Sequence, residues 1–125
     1  MEKNYSALGL MSGTSMDGVD ASVIQSNGDS NYKALFNKYY KYNDELFKNL
    51  SNTRDKVNSS KDMLKMSNEI KYLEKEITIF HAKISNDIIK NSELNIDFIG
   101  FHGQTIFHNV KEKINNKNFI IKGVV

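Results

Sequence analysis

Between Leu8 and Val23 an apolar run breaks into a string of glycine and hydroxyl residues and then resumes as an alternating run. Val19, Ala21 and Val23 alternate with Asp20 and Ser22, the period of a half-buried strand, and the apolar residues from Leu8 to Met11 form its predecessor. Two strands this close in sequence make a hairpin. Its tip, Ser12 to Gly18, offers closely spaced N–H groups, three hydroxyls, and two glycines, Gly13 and Gly18, that can take φ > 0. Those are the materials of a concave anion nest, with phosphate as its guest. Asp17 and Asp20 place carboxylates beside it, suited to a hydrated Mg²⁺. A glycine- and serine-rich turn ending in Asp17-Gly18 is also an ordinary hairpin connection. No Gly-Lys-Ser/Thr follows, and no G-x-G-x-x-G is present, so composition leaves a plain turn and a phosphate loop both open.

The rest of the chain reads as α/β. Tyr5 to Met11 and Val19 to Ser26 are the first two strands, and Asn27 to Asn31 is a turn of left-handed and Asx character. A third strand runs from Tyr32 to Tyr42, with Tyr32, Ala34, Phe36, Tyr40 and Tyr42 on one face. Asn43 caps a short helix with Asp44 and Glu45 in its first turn and Leu46, Phe47 and Leu50 as its stripe. Asn52 to Ser60 is expected to be a polar connector, and Ser59 with Asp62 forms a capping box for the next element. There Met63, Met66, Ile70, Leu73, Ile77, Phe80, Ile84 and Ile88 make one continuous seam, predicting a helix over 61–90, with a break near Ser67 or Glu74 an option if it packs across a sheet.

The seam needs a partner, either a sheet or a second copy of the chain in a homodimer; flanking strands favour the sheet. His81 sits just beside the seam as a structural histidine. Ile96 to Phe101 is expected to be a central strand, leading into a loop of His102, Gly103, Gln104 and Thr105 at its carboxyl end. His102 and Gln104 offer directional hydrogen bonds to hydroxyl or amide groups. Asn109 to Asn118 reads as a polar loop and Asn118 to Val125 as a strand.

A chain of 125 residues suits one domain, and the absence of cysteine excludes disulfides, a thiol nucleophile and a thiolate metal site. The formal charge of +2 mixes both signs along the chain, which gives no reason to expect nucleic acid or a membrane surface as partner. The first residues pass directly into a strand without the apolar core of a secretory signal, so a cytoplasmic location is expected.

Met11-Ser12-Gly13-Thr14-Ser15-Met16-Asp17-Gly18-Val19-Asp20 resembles the opening signature of the anhydro-N-acetylmuramic acid kinases, and Ile99-Gly100-Phe101-His102-Gly103-Gln104-Thr105 resembles their second. The resemblance implies the N-terminal part of a sugar-kinase, heat-shock ATPase and actin-like (ribonuclease H-like) lobe, with the opposing C-terminal lobe outside residues 1–125. It implies ATP-dependent conversion of 1,6-anhydro-N-acetylmuramic acid, with water, into N-acetylmuramic acid 6-phosphate in peptidoglycan recycling. Gly13, Thr14, Ser15, Met16, Asp17, Gly18, Val19 and Asp20 would then bind the ATP phosphates, Asp17 and Asp20 would hold Mg²⁺ directly or through water, and His102 and Gln104 would contact the sugar. The family's later Asp-Phe-Arg and Asp-Thr-Gly-Pro-Gly-Asn-like phrases do not occur here, so the general-base Asp is assigned to no residue of this sequence. A non-catalytic module acting through the Met63 to Ile88 seam is the alternative reading.

Overall fold

The computed structural model describes residues 3–108, 112–114 and 117–119. Strand β1 (Tyr5–Ser12) and strand β2 (Gly18–Ser26) form the expected hairpin, and β3 (Tyr32–Lys41) extends it as a meander. The connecting turn owes its shape to Asn27, whose Oδ1 accepts from the N–H groups of Asp29, Ser30 and Asn31, while Gly28 takes φ 81°.

The face pattern of β3 departs from simple alternation. Val23 pairs with Phe36 but Ile24 pairs with Ala34, leaving Leu35 as an extra residue. This bulge turns both Leu35 and Phe36 toward the core and leaves Tyr32 and Ala34 exposed, so the expected tyrosine-rich face is interrupted.

Helix α1 (Asp44–Lys56) starts where Asn43 Oδ1 accepts the Leu46 N–H at 2.8 Å. It runs well into the stretch expected to be a polar connector. Leu46, Leu50, Thr53 and Val57 continue the buried stripe at helical spacing, and that packing outweighs the polar composition between them. Ser59 caps α2 (Ser60–Lys65) through the Asp62 N–H, and the Asp62 carboxylate reaches back to the N–H of Asn58. The helix expected over 61–90 is two helices, separated at Met66, whose φ and ψ of −101° and 23° leave the α region. Short α2 buries nothing; α3 (Ser67–Asn91) carries the seam.

The seam's partner is the sheet. Ile70, Leu73, Ile77, Ile84 and Ile88 of α3 join Leu46 and Leu50 of α1 against Leu8, Leu10, Val19, Ala21 and Val23, so both helices cover one face. Tyr40 also donates to Asp87 Oδ2 at 2.9 Å, tying β3 to α3. Burial, aided by that bond, raises the Tyr40 hydroxyl to about 12.

Strand β4 (Phe98–Gln104) lies parallel to β1 in a sheet ordered β3-β2-β1-β4, so among the described residues it is an edge strand rather than a central one. Asp97 sets its start: its N–H donates to the Ser6 carbonyl at 2.8 Å and its Oδ2 accepts the Ser6 N–H at 2.9 Å. His102, Gly103 and Gln104, expected in a loop, belong to the strand itself. A small hairpin of β5 (Glu112–Ile114) and β6 (Lys117–Phe119) follows, within and just after the stretch expected to be a loop; residues 120–125 of the expected last strand lie outside the described residues. Among the described residues no helix is long and apolar enough to cross a membrane.

This packing separates core from surface along α1. Leu50→Ala is expected to lower the free energy of unfolding by about 2–5 kcal/mol, whereas Phe47→Ala, at a side chain 41% exposed, changes it by less than about 1 kcal/mol; urea unfolding of the two variants measures both.

Candidate functional site: the β1–β2 tip and the polar cluster beneath it

Gly13 to Asp17 cross from β1 to β2 as a tight turn, closed by the Met16 N–H donating to the Gly13 carbonyl at 3.2 Å. The left-handed residue of this turn is Met16, at φ 59°, and neither Gly13 nor Gly18 takes positive φ. Met16 tolerates that strained backbone because its side chain is an anchor, only 1% exposed in the core. As a phosphate contact Met16 therefore offers its backbone alone. Thr14 and Ser15 are exposed, and their N–H groups meet no acceptor among the described residues.

The two glycines have different reasons to be there. A Cβ on Gly18 would collide with the Tyr40 carbonyl oxygen and come within 2.6 Å of the Tyr39 ring and hydroxyl. Gly18 is required by packing. A Cβ on Gly13 would meet nothing within 4 Å among the described residues, and the backbone there needs no glycine either. Its bare face is open space.

Beneath the tip lies a buried polar cluster. Ser12, counted in the sequence as a hydroxyl of the nest, instead points inward with no exposed surface, and its Oγ lies 3.1 Å from His81 Nε2 and 3.0 Å from Tyr42 Oη. His81 Nδ1 is 2.8 Å from the Ile77 carbonyl, which only accepts, so Nδ1 carries the proton and Nε2 accepts from Ser12. The ring packs edge-on to Phe101 at 4.8 Å, and Phe80 packs similarly on Tyr42 at 4.9 Å. Gln104 Oε1 faces Tyr42 Oη at 3.1 Å while Nε2 donates to the Gly13 carbonyl at 2.8 Å and to the Thr105 carbonyl at 3.1 Å. The single Tyr42 proton thus reaches two acceptors.

A bulge delivers Gln104 to this position. Leu10 pairs with Phe101 but Ser12 pairs with Gln104, so β4 spends one extra residue there, and Gly103 at φ 83° accommodates it. The extra residue turns Gln104 to the buried face. Its amide, expected at the sugar side, is committed to the loop and to Tyr42. His102 is exposed; Nδ1 donates to the Gly103 carbonyl at 3.0 Å and Nε2 has no partner among the described residues.

At the far end of the tip, Ser15 Oγ donates to Asp17 Oδ1 at 2.7 Å, and the Tyr42 N–H holds the Asp17 carbonyl at 2.8 Å. The Ser15 hydroxyl, helped by Asp17's own N–H, the Tyr39 hydroxyl and Lys41, and opposed by slight desolvation, holds this carboxyl below the ordinary carboxylate range. Asp20 is exposed on β2, directly across from Tyr39. Among the described residues no three His, Cys, Asp or Glu side chains converge as a metal cage. Tyr42, His81, Tyr39 and Lys41 were not legible as site residues. The spacing Ile77, His81, Ile84 does place a polar ring within the apolar seam, and that was the available signal.

A mixed sheet opened by such a hairpin and backed by helices is the architecture of the sugar-kinase and actin-like ATPase class. Within that class, the sequence profile of one family, anhydro-N-acetylmuramic acid kinase, matches residues 5–122. The chain is 59% identical over 117 residues to the anhydro-N-acetylmuramic acid kinase of Pelagibacter ubique (strain HTCC1062), covering 94% of this chain and 31% of that one. It is 37% identical over 107 residues to the protein of that name from Zymomonas mobilis subsp. mobilis (82% of this chain, 29% of the relative) and 32% identical over 111 residues to that from Brucella canis (86% and 30%). The chain belongs to the anhydro-N-acetylmuramic acid kinase family. It spans about a third of the length of the curated relatives it matches.

The buried imidazole gives the cluster a pH signature. Burial lowers the His81 pKa from 6.5, partly offset by the Ile77 carbonyl, so on acidification the unfolded chain takes up this proton before the folded one. The contribution is complete above about pH 6.5 and is lost as pH falls toward the depressed folded value. Urea unfolding between about pH 7 and pH 5 should show stability declining in the parent chain and a flatter profile in His81→Gln. Asp17 and Asp87, whose carboxyls also sit low, act only at more acidic pH.

Proposed function

We propose that the β1–β2 tip binds the phosphates of ATP and that the protein takes part in ATP-dependent phosphorylation and hydrolytic ring opening of 1,6-anhydro-N-acetylmuramic acid to N-acetylmuramic acid 6-phosphate. The observation that carries this reading is Gly13. Neither backbone conformation nor packing asks for a glycine there, so its bare face is explained by the close approach of a ligand, beside the free N–H groups of Thr14 and Ser15. Phosphoryl transfer asks a protein mainly to position phosphates and to stabilise charge, and a pinned loop of N–H donors does both.

Mg²⁺ fits the acids present. It keeps several waters and needs one or two carboxylates besides the nucleotide, and Asp17 and Asp20 are exposed acids beside the loop, Asp17 firmly ionised by the Ser15 hydroxyl. When bound, the ion would neutralise charge on the phosphate oxygens. Ser15 fixes the Asp17 carboxylate, and Gln104 fixes the Gly13 carbonyl so that the loop keeps its shape before ligand arrives. His102 is the candidate sugar contact; Gln104 acts through the loop instead. The proton of the attacking water goes to a base outside the residues assigned here. An ATP-consuming reaction of this kind supports a cytoplasmic location. The Met63 to Ile88 seam that an interaction module would use is, from Ile70 onward, packed on its own sheet.

Three substitutions in an enzyme containing both lobes test the loop. Gly13→Val should leave the free energy of unfolding within about 1 kcal/mol of the parent while weakening Mg·ATP binding, and Asp20→Ala should weaken binding without loss of fold. Gly18→Ala, by contrast, should cost about 1–3 kcal/mol of stability through its clash with β3. Calorimetric titration with Mg·ATP reads the affinities, and unchanged affinity in both Gly13→Val and Asp20→Ala would sink the assignment.

A further inference from the structure

Both ends of the tip are held by one residue that lies outside it. Tyr42, just past the end of β3, donates its backbone N–H to the Asp17 carbonyl at 2.8 Å and so closes the β2 end of the loop. Its hydroxyl reaches the other end. There it lies 3.1 Å from Gln104 Oε1, and Nε2 of the same amide donates to the Gly13 carbonyl at 2.8 Å. Among the described residues Tyr42 is the only donor to Gln104 Oε1. The side chain is buried, with Phe80 packed edge-on against its ring at 4.9 Å. Burial, opposed by the Ser12 hydrogen bond, raises the phenol above its ordinary pKa, so its proton is retained at neutral pH.

We propose that Tyr42 is a positioning residue for the nucleotide phosphates: its hydroxyl orients the Gln104 amide, which holds the Gly13 carbonyl inward and so turns the Thr14 N–H toward the phosphate, while its own N–H fixes the other end of the loop. The proposal rests on the phosphate-loop reading above. The step from carbonyl to N–H is covalent. The Gly13 carbonyl and the Thr14 N–H belong to one trans peptide unit, in which the two groups point in opposite directions. That carbonyl accepts twice, from the Met16 N–H and from Gln104, which engages both its lone pairs and leaves the peptide plane little freedom to turn. Without the Tyr42 hydroxyl, Gln104 loses the contact that orients its amide from behind. The Thr14 N–H then samples other directions before the ligand arrives, and ordering it is charged against affinity.

Tyr42→Phe removes the hydroxyl but keeps the ring against Phe80 and the N–H on Asp17, and Gln104→Met removes the same link from the other side. In the enzyme containing both lobes, each should weaken Mg·ATP binding about three- to tenfold, the worth of one neutral hydrogen bond. The double variant should bind no more weakly than either single one, because the two residues act in one line. Leu50→Ala, destabilising through packing alone, should bind as the parent does. The Thr14 amide of the ligand-free enzyme should show a lowered NMR order parameter in Tyr42→Phe and not in Leu50→Ala. Parental affinity, or an unchanged Thr14 order parameter, in Tyr42→Phe would overturn the role of Tyr42, while weakened binding in Gly13→Val and Asp20→Ala would leave the loop assignment standing. Additive losses in the double variant, or an equal loss in Leu50→Ala, would show a tyrosine that only stabilises the fold and would overturn it too. Should Tyr42→Phe fail to fold, Gln104→Met decides: weakened binding with a lowered Thr14 order parameter upholds the proposal, and parental values of either overturn it. No Mg·ATP binding by the parent would overturn the phosphate-loop reading, and this inference with it.

Discussion

The Ser12 hydroxyl, wholly buried between His81 Nε2 and Tyr42 Oη, is the point at which strand, helix and loop are joined. A hydroxyl without partners in that position would cost on the order of 1–3 kcal/mol, and here His81 of α3 and Tyr42, just past the end of β3, satisfy it, with Gln104 of β4 extending the cluster through Tyr42. Ile77 fixes the tautomer of His81, Tyr42 passes the contact on, and Gln104 carries it up to the carbonyl of Gly13. Such a network, once complete, resists distortion because each member orients the next. The loop above it inherits that rigidity.

Rigidity at this tip is achieved without left-handed glycines. Met16 takes the left-handed turn and is held by its buried side chain, and Gln104 reaches the loop only because the β4 bulge at Gly103 turns it inward. With the carbonyl of Gly13 pinned from below, the bare face of the same residue and the N–H groups of Thr14 and Ser15 are left on the outside. A preformed cradle of donors costs little reorganisation when an anion arrives. The carboxylates stand to one side of it rather than within it.

Periodicity and turn chemistry made the hairpin, the Asn27 turn, the Asn43 and Ser59 caps and the packing of the α3 seam on a sheet legible in the sequence, because each depends on neighbours a few residues apart. The features that escaped depend on single extra residues or distant partners. One residue more in β3 at Leu35 and one more in β4 near Gly103 reverse which side chains face inward, and alternation gives no warning of either. Thr53 and Val57 carried α1 through a stretch whose composition suggested a loop. Of the site, the family resemblance marked the loop, but the inward turn of Ser12, the burial of Met16 and Gln104 and the seating of the Tyr39 ring against Gly18 are consequences of tertiary packing.

The central claim is that the outer N–H groups of the tip are held ready for phosphate by the cluster below. Amide chemical shifts of isotopically labelled protein, followed as Mg·ATP is added, test it directly. The account predicts that the Thr14 and Ser15 amide protons move downfield on binding while the resonances of His81 and of the Gln104 side-chain amide stay in place, since donors gain an anion and the scaffold does not rearrange. Nucleotide binding that leaves the Thr14 and Ser15 amides unshifted, or that moves the His81 and Gln104 signals as much as theirs, would contradict it.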